Sequence, residues 1–89
     1  MPKKIFKYEL SPNTTQNIPM PKGAEILCIQ NQRETPCIWA LCDFEEGKYN
    51  RTIELVATGE LMPNENRNYI GSIQMAMGSL VFHCFEIIE

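Results

Sequence analysis

Thr52-Ile53-Glu54-Leu55-Val56-Ala57-Thr58 sets Ile53, Leu55 and Ala57 on one side of an extended chain and Thr52, Glu54 and Thr58 on the other. Successive side chains of a strand point to opposite faces, so the stretch reads as a β-strand with one face on the core and one in water. Glu54 belongs to the wet face in this reading. Two further stretches, Cys37-Ile38-Trp39-Ala40-Leu41-Cys42 and Leu80-Val81-Phe82-His83-Cys84-Phe85, are apolar on both faces. Such strands have to be covered twice, once by the core and once by a loop, a ligand or another chain.

Working outward, seven segments rich in Ile, Val, Leu, Phe and Tyr lie near 4–10, 16–19, 24–31, 36–43, 51–58, 69–75 and 79–88, separated by clusters of Pro, Gly, Asn and Glu. The best helical candidate, Glu60 to Asn68, holds Pro63 and three Asn, which argues for a loop or at most one turn. Gln32-Arg33-Glu34-Thr35 and Ala76-Met77-Gly78 are short enough to join antiparallel neighbours. Glu45-Glu46-Gly47-Lys48-Tyr49-Asn50 is expected to turn the fourth strand back along the fifth in the same way. Regular strands without crossover helices predict an all-β domain, a small antiparallel β-sandwich or barrel.

Eighty-nine residues make one domain, 1–89, because a chain of this size has no surplus for a second core. The 44% hydrophobic and 21% charged content is that of a globular protein. A net charge of -3 implies no basic surface to draw in nucleic acid. Lys3, Lys4 and Lys7 alternate with Ile5, Phe6 and Tyr8 and read as the solvated start of an edge strand. No stretch has the length of a membrane span, and Met1-Pro2-Lys3-Lys4 leads into polar sequence rather than an apolar signal region. The expected compartment is therefore the cytoplasm, where the four cysteines are buried thiols.

The residue types that carry chemistry are spaced against it. The cysteines are separated by nine, five and forty-two positions, whereas structural zinc takes ligand pairs two to four residues apart. Cys37 and Cys42 differ by an odd number on one strand and face opposite ways; so do His83 and Cys84, which removes that pair as a nucleophilic dyad. Thr58-Gly59-Glu60 is a turn, lacking the lysine and second glycine of a phosphate loop. No catalytic residue, metal site or cofactor is expected. Candidates for binding a ligand or partner are Trp39, Arg51, Arg33, Tyr69 and His83, since aromatics and arginine anchor interfaces and anionic ligands. Core positions for Trp39 and a hydrogen-bonded core or interface position for His83 are the plainer alternatives.

Taken in order, Met20-Pro21-Lys22-Gly23-Ala24, Pro36-Cys37-Ile38-Trp39-Ala40-Leu41, Tyr69-Ile70-Gly71-Ser72-Ile73-Gln74 and Leu80-Val81-Phe82-His83-Cys84-Phe85-Glu86 resemble the landmarks of a family of short proteins encoded mainly by bacteriophages and prophages. Phe6-Lys7-Tyr8 at the start and Arg51-Thr52 leading to a Thr-Gly turn fit the same pattern. Where that family often carries His after Thr-Gly, this chain has Glu60. The family is a domain of unknown function, so the resemblance implies phage origin and expression in a bacterial cytoplasm but no activity. The expected function is a non-catalytic phage protein that counters a bacterial defence by stoichiometric binding of a host effector, or by sequestering a small nucleotide signal. The alternative is a structural or accessory phage protein. The two doubly apolar strands add the expectation of a homo-oligomer.

Overall fold

A computed structural model describes residues 2–88. Seven β-strands are formed among them: β1 (Lys4–Glu9), β2 (Thr15–Pro21), β3 (Glu25–Gln32), β4 (Thr35–Cys42), β5 (Lys48–Ala57), β6 (Arg67–Met75) and β7 (Leu80–Ile87). They pair antiparallel into a three-stranded sheet, β1-β4-β3, and a four-stranded sheet, β2-β5-β7-β6. The shortest principal extent, 17 Å, fits two stacked layers, and the strand orders leave the sheets separate, so the sandwich is open rather than a closed barrel. The stretch 60–66 carries no helix or strand.

The two doubly apolar stretches are β4 and β7, and each is an interior strand of its sheet. Register explains their sidedness. Ile38, Ala40 and Cys42 of β4 face the core, together with Ile29 of β3, Ile18 and Met20 of β2, Ile53 and Leu55 of β5, Ile73 of β6 and Cys84 of β7. Cys37, Trp39 and Leu41 lie on the outer face, beside Glu9, Lys7 and Ile5 of β1. Strand parity thus separates Cys37 from Cys42, and only Cys42 of the two belongs to the core cluster. All four cysteines are unpaired, with Cys28 half-buried and the other three buried.

The sheets close on one another where β3 meets β6. Gly71, at an irregularity in the β6–β7 register, allows that approach: a Cβ there would stand 3.1 Å from Ile29 Cγ2. At one end, Arg51 of β5 clasps Glu86 of β7 through Nε and Nη2 and donates from Nη1 to the Ala24 carbonyl, 2.8 Å away, just before β3. One guanidinium therefore ties both sheets together. Its pKa is raised, chiefly by the hydrogen bond to Glu86, against the opposing effect of burial.

Three expectations from sequence are corrected. The segment 45–50 is no in-plane hairpin: residues 48–50 already belong to β5, and β4 and β5 lie in different sheets. The chain arches across the sandwich there, β5 pairs with β2, and Lys22 N–H donates to the Gly47 carbonyl at 2.8 Å. Glu54 is not solvated: it is 4% exposed and paired with Arg67. Trp39 lies half-buried on the outer face of its sheet, not in the core between the sheets.

Candidate functional site

Antiparallel pairing of β5, β7 and β6 puts Val56, His83 and Ser72 in one row across the outer face of the four-stranded sheet. His83 is hydrogen-bonded through both ring nitrogens, Nε2 to Thr58 Oγ1 at 2.8 Å and Nδ1 to Ser72 Oγ at 2.7 Å. Ser72 Oγ is in turn 2.7 Å from the Tyr69 hydroxyl. Thr58 Oγ1 donates to the Val81 carbonyl at 3.3 Å, so it accepts from Nε2–H, and when the ring carries that single proton Ser72 donates to Nδ1. Tyr69 completes the chain by donating to Ser72. Ser72, His83 and Thr58 are bonded to one another on an exposed sheet face and not in a cleft.

The next row carries the aromatic and charged groups. Tyr69 and Phe85 are direct cross-strand partners with ring centroids 5.5 Å apart. The Arg67 guanidinium lies 5.8 Å from the Phe85 ring centroid and grips Glu54 with bonds of 2.9 and 3.3 Å. Tyr69 is 62% exposed, so this row ends in an accessible aromatic with a polar tip.

A second feature lies at the end of the sandwich away from Arg51. Leu10, Leu55, Met75, Leu80 and Phe82 line an open-mouthed cavity of about 490 Å³ between the sheets. Among the described residues that line it, the charged ones are Glu34 and Glu60. Both carboxylates are held in place: Glu34 accepts from Ala76 N–H at 2.6 Å and Asn31 Nδ2 at 2.8 Å, and Glu60 accepts from Ala57 N–H at 2.6 Å.

The five residues singled out from sequence do not form one site. Tyr69 and His83 are brought together through Ser72. Trp39 is on the outer face of the other sheet, Arg51 is closed on Glu86, and Arg33 is exposed in the β3–β4 turn. Sequence reasoning passed over Ser72 and Phe85, although strand parity from His83 pointed to Phe85. It had no means of finding the cavity, whose lining comes from separate segments of the chain. Among the described residues no three His, Cys, Asp or Glu side chains converge to hold a metal ion. Nor is any helix among them long and apolar enough to cross a membrane.

Fold and site together define a two-sheet antiparallel sandwich with a histidine-centred polar relay on one outer face. The chain belongs to the family described as Domain of unknown function (DUF7352), whose pattern matches residues 1–89. No curated protein and no solved structure matches it.

Proposed function

We propose that the protein is a non-catalytic binding protein, made by a phage and acting in the host bacterial cytoplasm to counter a defence system by stoichiometric engagement of a host effector protein. The observation that carries the binding mode is the contiguous set Tyr69, Phe85, Arg67 and His83 on the outer face of the four-stranded sheet. Aromatic and arginine side chains with hydroxyl partners are the groups that dominate protein interfaces. The phage origin rests on the family resemblance alone, and the defence target is inferred from that origin, since the resemblance itself implies no activity.

Sequestration of a nucleotide signal is the weaker form of the proposal. The forks of Arg51 and Arg67 are occupied by Glu86 and Glu54, the end cavity offers carboxylates in place of cations, and Trp39 is remote from Tyr69. The apolar outer face of the other sheet, where Ile5 is 58% exposed beside Leu41 and Trp39, suits a second copy of the chain. The test is protection of a sensitive phage by the protein expressed in a defence-carrying host, read as plating efficiency. A Tyr69→Ala/Phe85→Ala variant that stays folded by circular dichroism is expected to weaken effector binding at least tenfold and abolish protection. Undiminished protection removes this face as the site. One-to-one heat on titration with a cyclic nucleotide replaces the effector by the signal.

A further inference from the structure

We propose that the end cavity is a binding site for a small hydrophobic amine, its apolar body seated against Leu10, Leu55, Met75 and Phe82 and its ammonium at the carboxylates of Glu34 and Glu60. A cavity of about 490 Å³ lies in the range of small-molecule sites. Leu10 and Leu55 are buried in its wall, whereas Leu80 is 48% exposed and Met75 and Phe82 are only partly buried, and that remaining apolar surface gains by covering with an apolar ligand. Charge decides which ligand. With Glu34 and Glu60 the charged residues of the described lining, an anion is repelled, a neutral molecule gains only burial, and a cation gains both burial and a charge-assisted contact. The protein's overall charge of -3 acts in the same sense.

The carboxylates are oriented before any ligand arrives. Glu34 is fixed by Ala76 N–H and Asn31 Nδ2, and Asn31 Nδ2 also donates to the Gln74 carbonyl, so the end of β3 is tied to the end of β6. Glu60 uses Oε1 on Ala57 N–H, and Oε2 takes no hydrogen bond among the described residues. Ordering cost on binding therefore falls mainly on the ligand.

The test is NMR titration of the full chain with three isosteric probes: 3-phenylpropylamine, 3-phenylpropanol and 3-phenylpropionate. The amine is expected to shift the amides of Leu10, Glu34, Ala76 and Phe82 saturably and to bind at least tenfold tighter than the alcohol, with the carboxylate giving no shift. Glu60→Gln keeps the acceptor for Ala57 N–H and is expected to lower amine affinity while leaving alcohol affinity unchanged. Equal affinity of amine and alcohol overturns the proposal, as do shifts confined to other faces or an absence of saturation. Tighter binding of the blocked peptide acetyl-Leu-Lys-Leu-amide than of the amine at the same amides also overturns it, in favour of a protein side chain. These readings require nothing of Tyr69 or Phe85, so they stand apart from the effector-binding face.

Discussion

A carboxylate on the outer face of a sheet is ordinarily interchangeable, but Glu54 has 5% of its side chain exposed and Arg67 only 14%. Removing one member of such a pair leaves the other without its counter-charge in a poorly solvated place, which costs about 3–5 kcal/mol where burial is complete. Glu54→Ala is therefore expected to destabilise the protein by about 3 kcal/mol, where a solvated position would give less than about 0.5 kcal/mol. Urea unfolding measures it, and Glu54→Leu/Arg67→Met is expected to recover most of the loss, because two apolar groups remove the charge rather than orphan it. Recovery absent from the double variant would show that packing around Phe85, not charge, sets the cost. Alternation in 52–58 correctly assigned the strand yet missed this pair. Alternation reports polarity, whereas coverage of Glu54 comes from a residue on another strand.

At the scale of elements, the β3–β4 turn combines two left-handed residues, Arg33 at φ 53° and Glu34 at φ 64°, in a two-residue join. That is the type I′ geometry, which prefers Asn-Gly. Glu34 tolerates it because its N–H donates to Asn31 Oδ1 at 2.8 Å and its carboxylate caps Ala76 N–H. Arg33 has no such compensation in its side-chain bonds, so Arg33→Asn is expected to stabilise by about 0.5–1 kcal/mol. Glu34→Gly relieves similar strain and keeps the N–H bond to Asn31, but it loses the carboxylate's bonds to Ala76 N–H and Asn31 Nδ2, and a net loss is expected. Thermal midpoints distinguish the two, at roughly 4–8 °C per kcal/mol for a domain of this length. This join and 76–78 were legible because so few residues can only reverse the chain in plane. The connection from β4 to β5 was not: residues 48–50, read as part of a turn, already pair with β2, and a loop of the length of 43–47 can also arch between layers, the outcome being set by β2 pairing with β5, a contact no local pattern records.

For the whole molecule, the strands and their inward faces followed from periodicity, while the cavity needed the two layers assembled before its walls existed. The same assembly buries ionisable groups, and this has a consequence for stability at alkaline pH. Burial, with a smaller contribution from the Glu54 charge, pushes the Cys84 thiol up to about 12 from 9.0. Burial and then the bond to Cys42 push the Tyr8 hydroxyl up to about 12 from 10.0. Cys37 moves in the same direction, chiefly by burial. Each group is neutral in the folded state, and its folded pKa lies above its unfolded one. Their stabilisation is complete below pH 9, where both states hold the proton. As pH rises from 9 towards 12 the unfolded chain releases protons that the folded chain keeps, so stability falls, by up to about 1.4 kcal/mol per pH unit for each group. Urea midpoints in reducing buffer are expected to be level from pH 7 to 8.5 and to decline steadily above 9. Cys84→Ala removes one such group, so its decline is expected to be shallower even though the variant starts from a lower midpoint through lost packing. Parallel slopes for the two proteins would mean that Cys84 gives up its proton in the folded state as readily as in the unfolded one, and that the layers are less tightly closed around β7 than its burial requires.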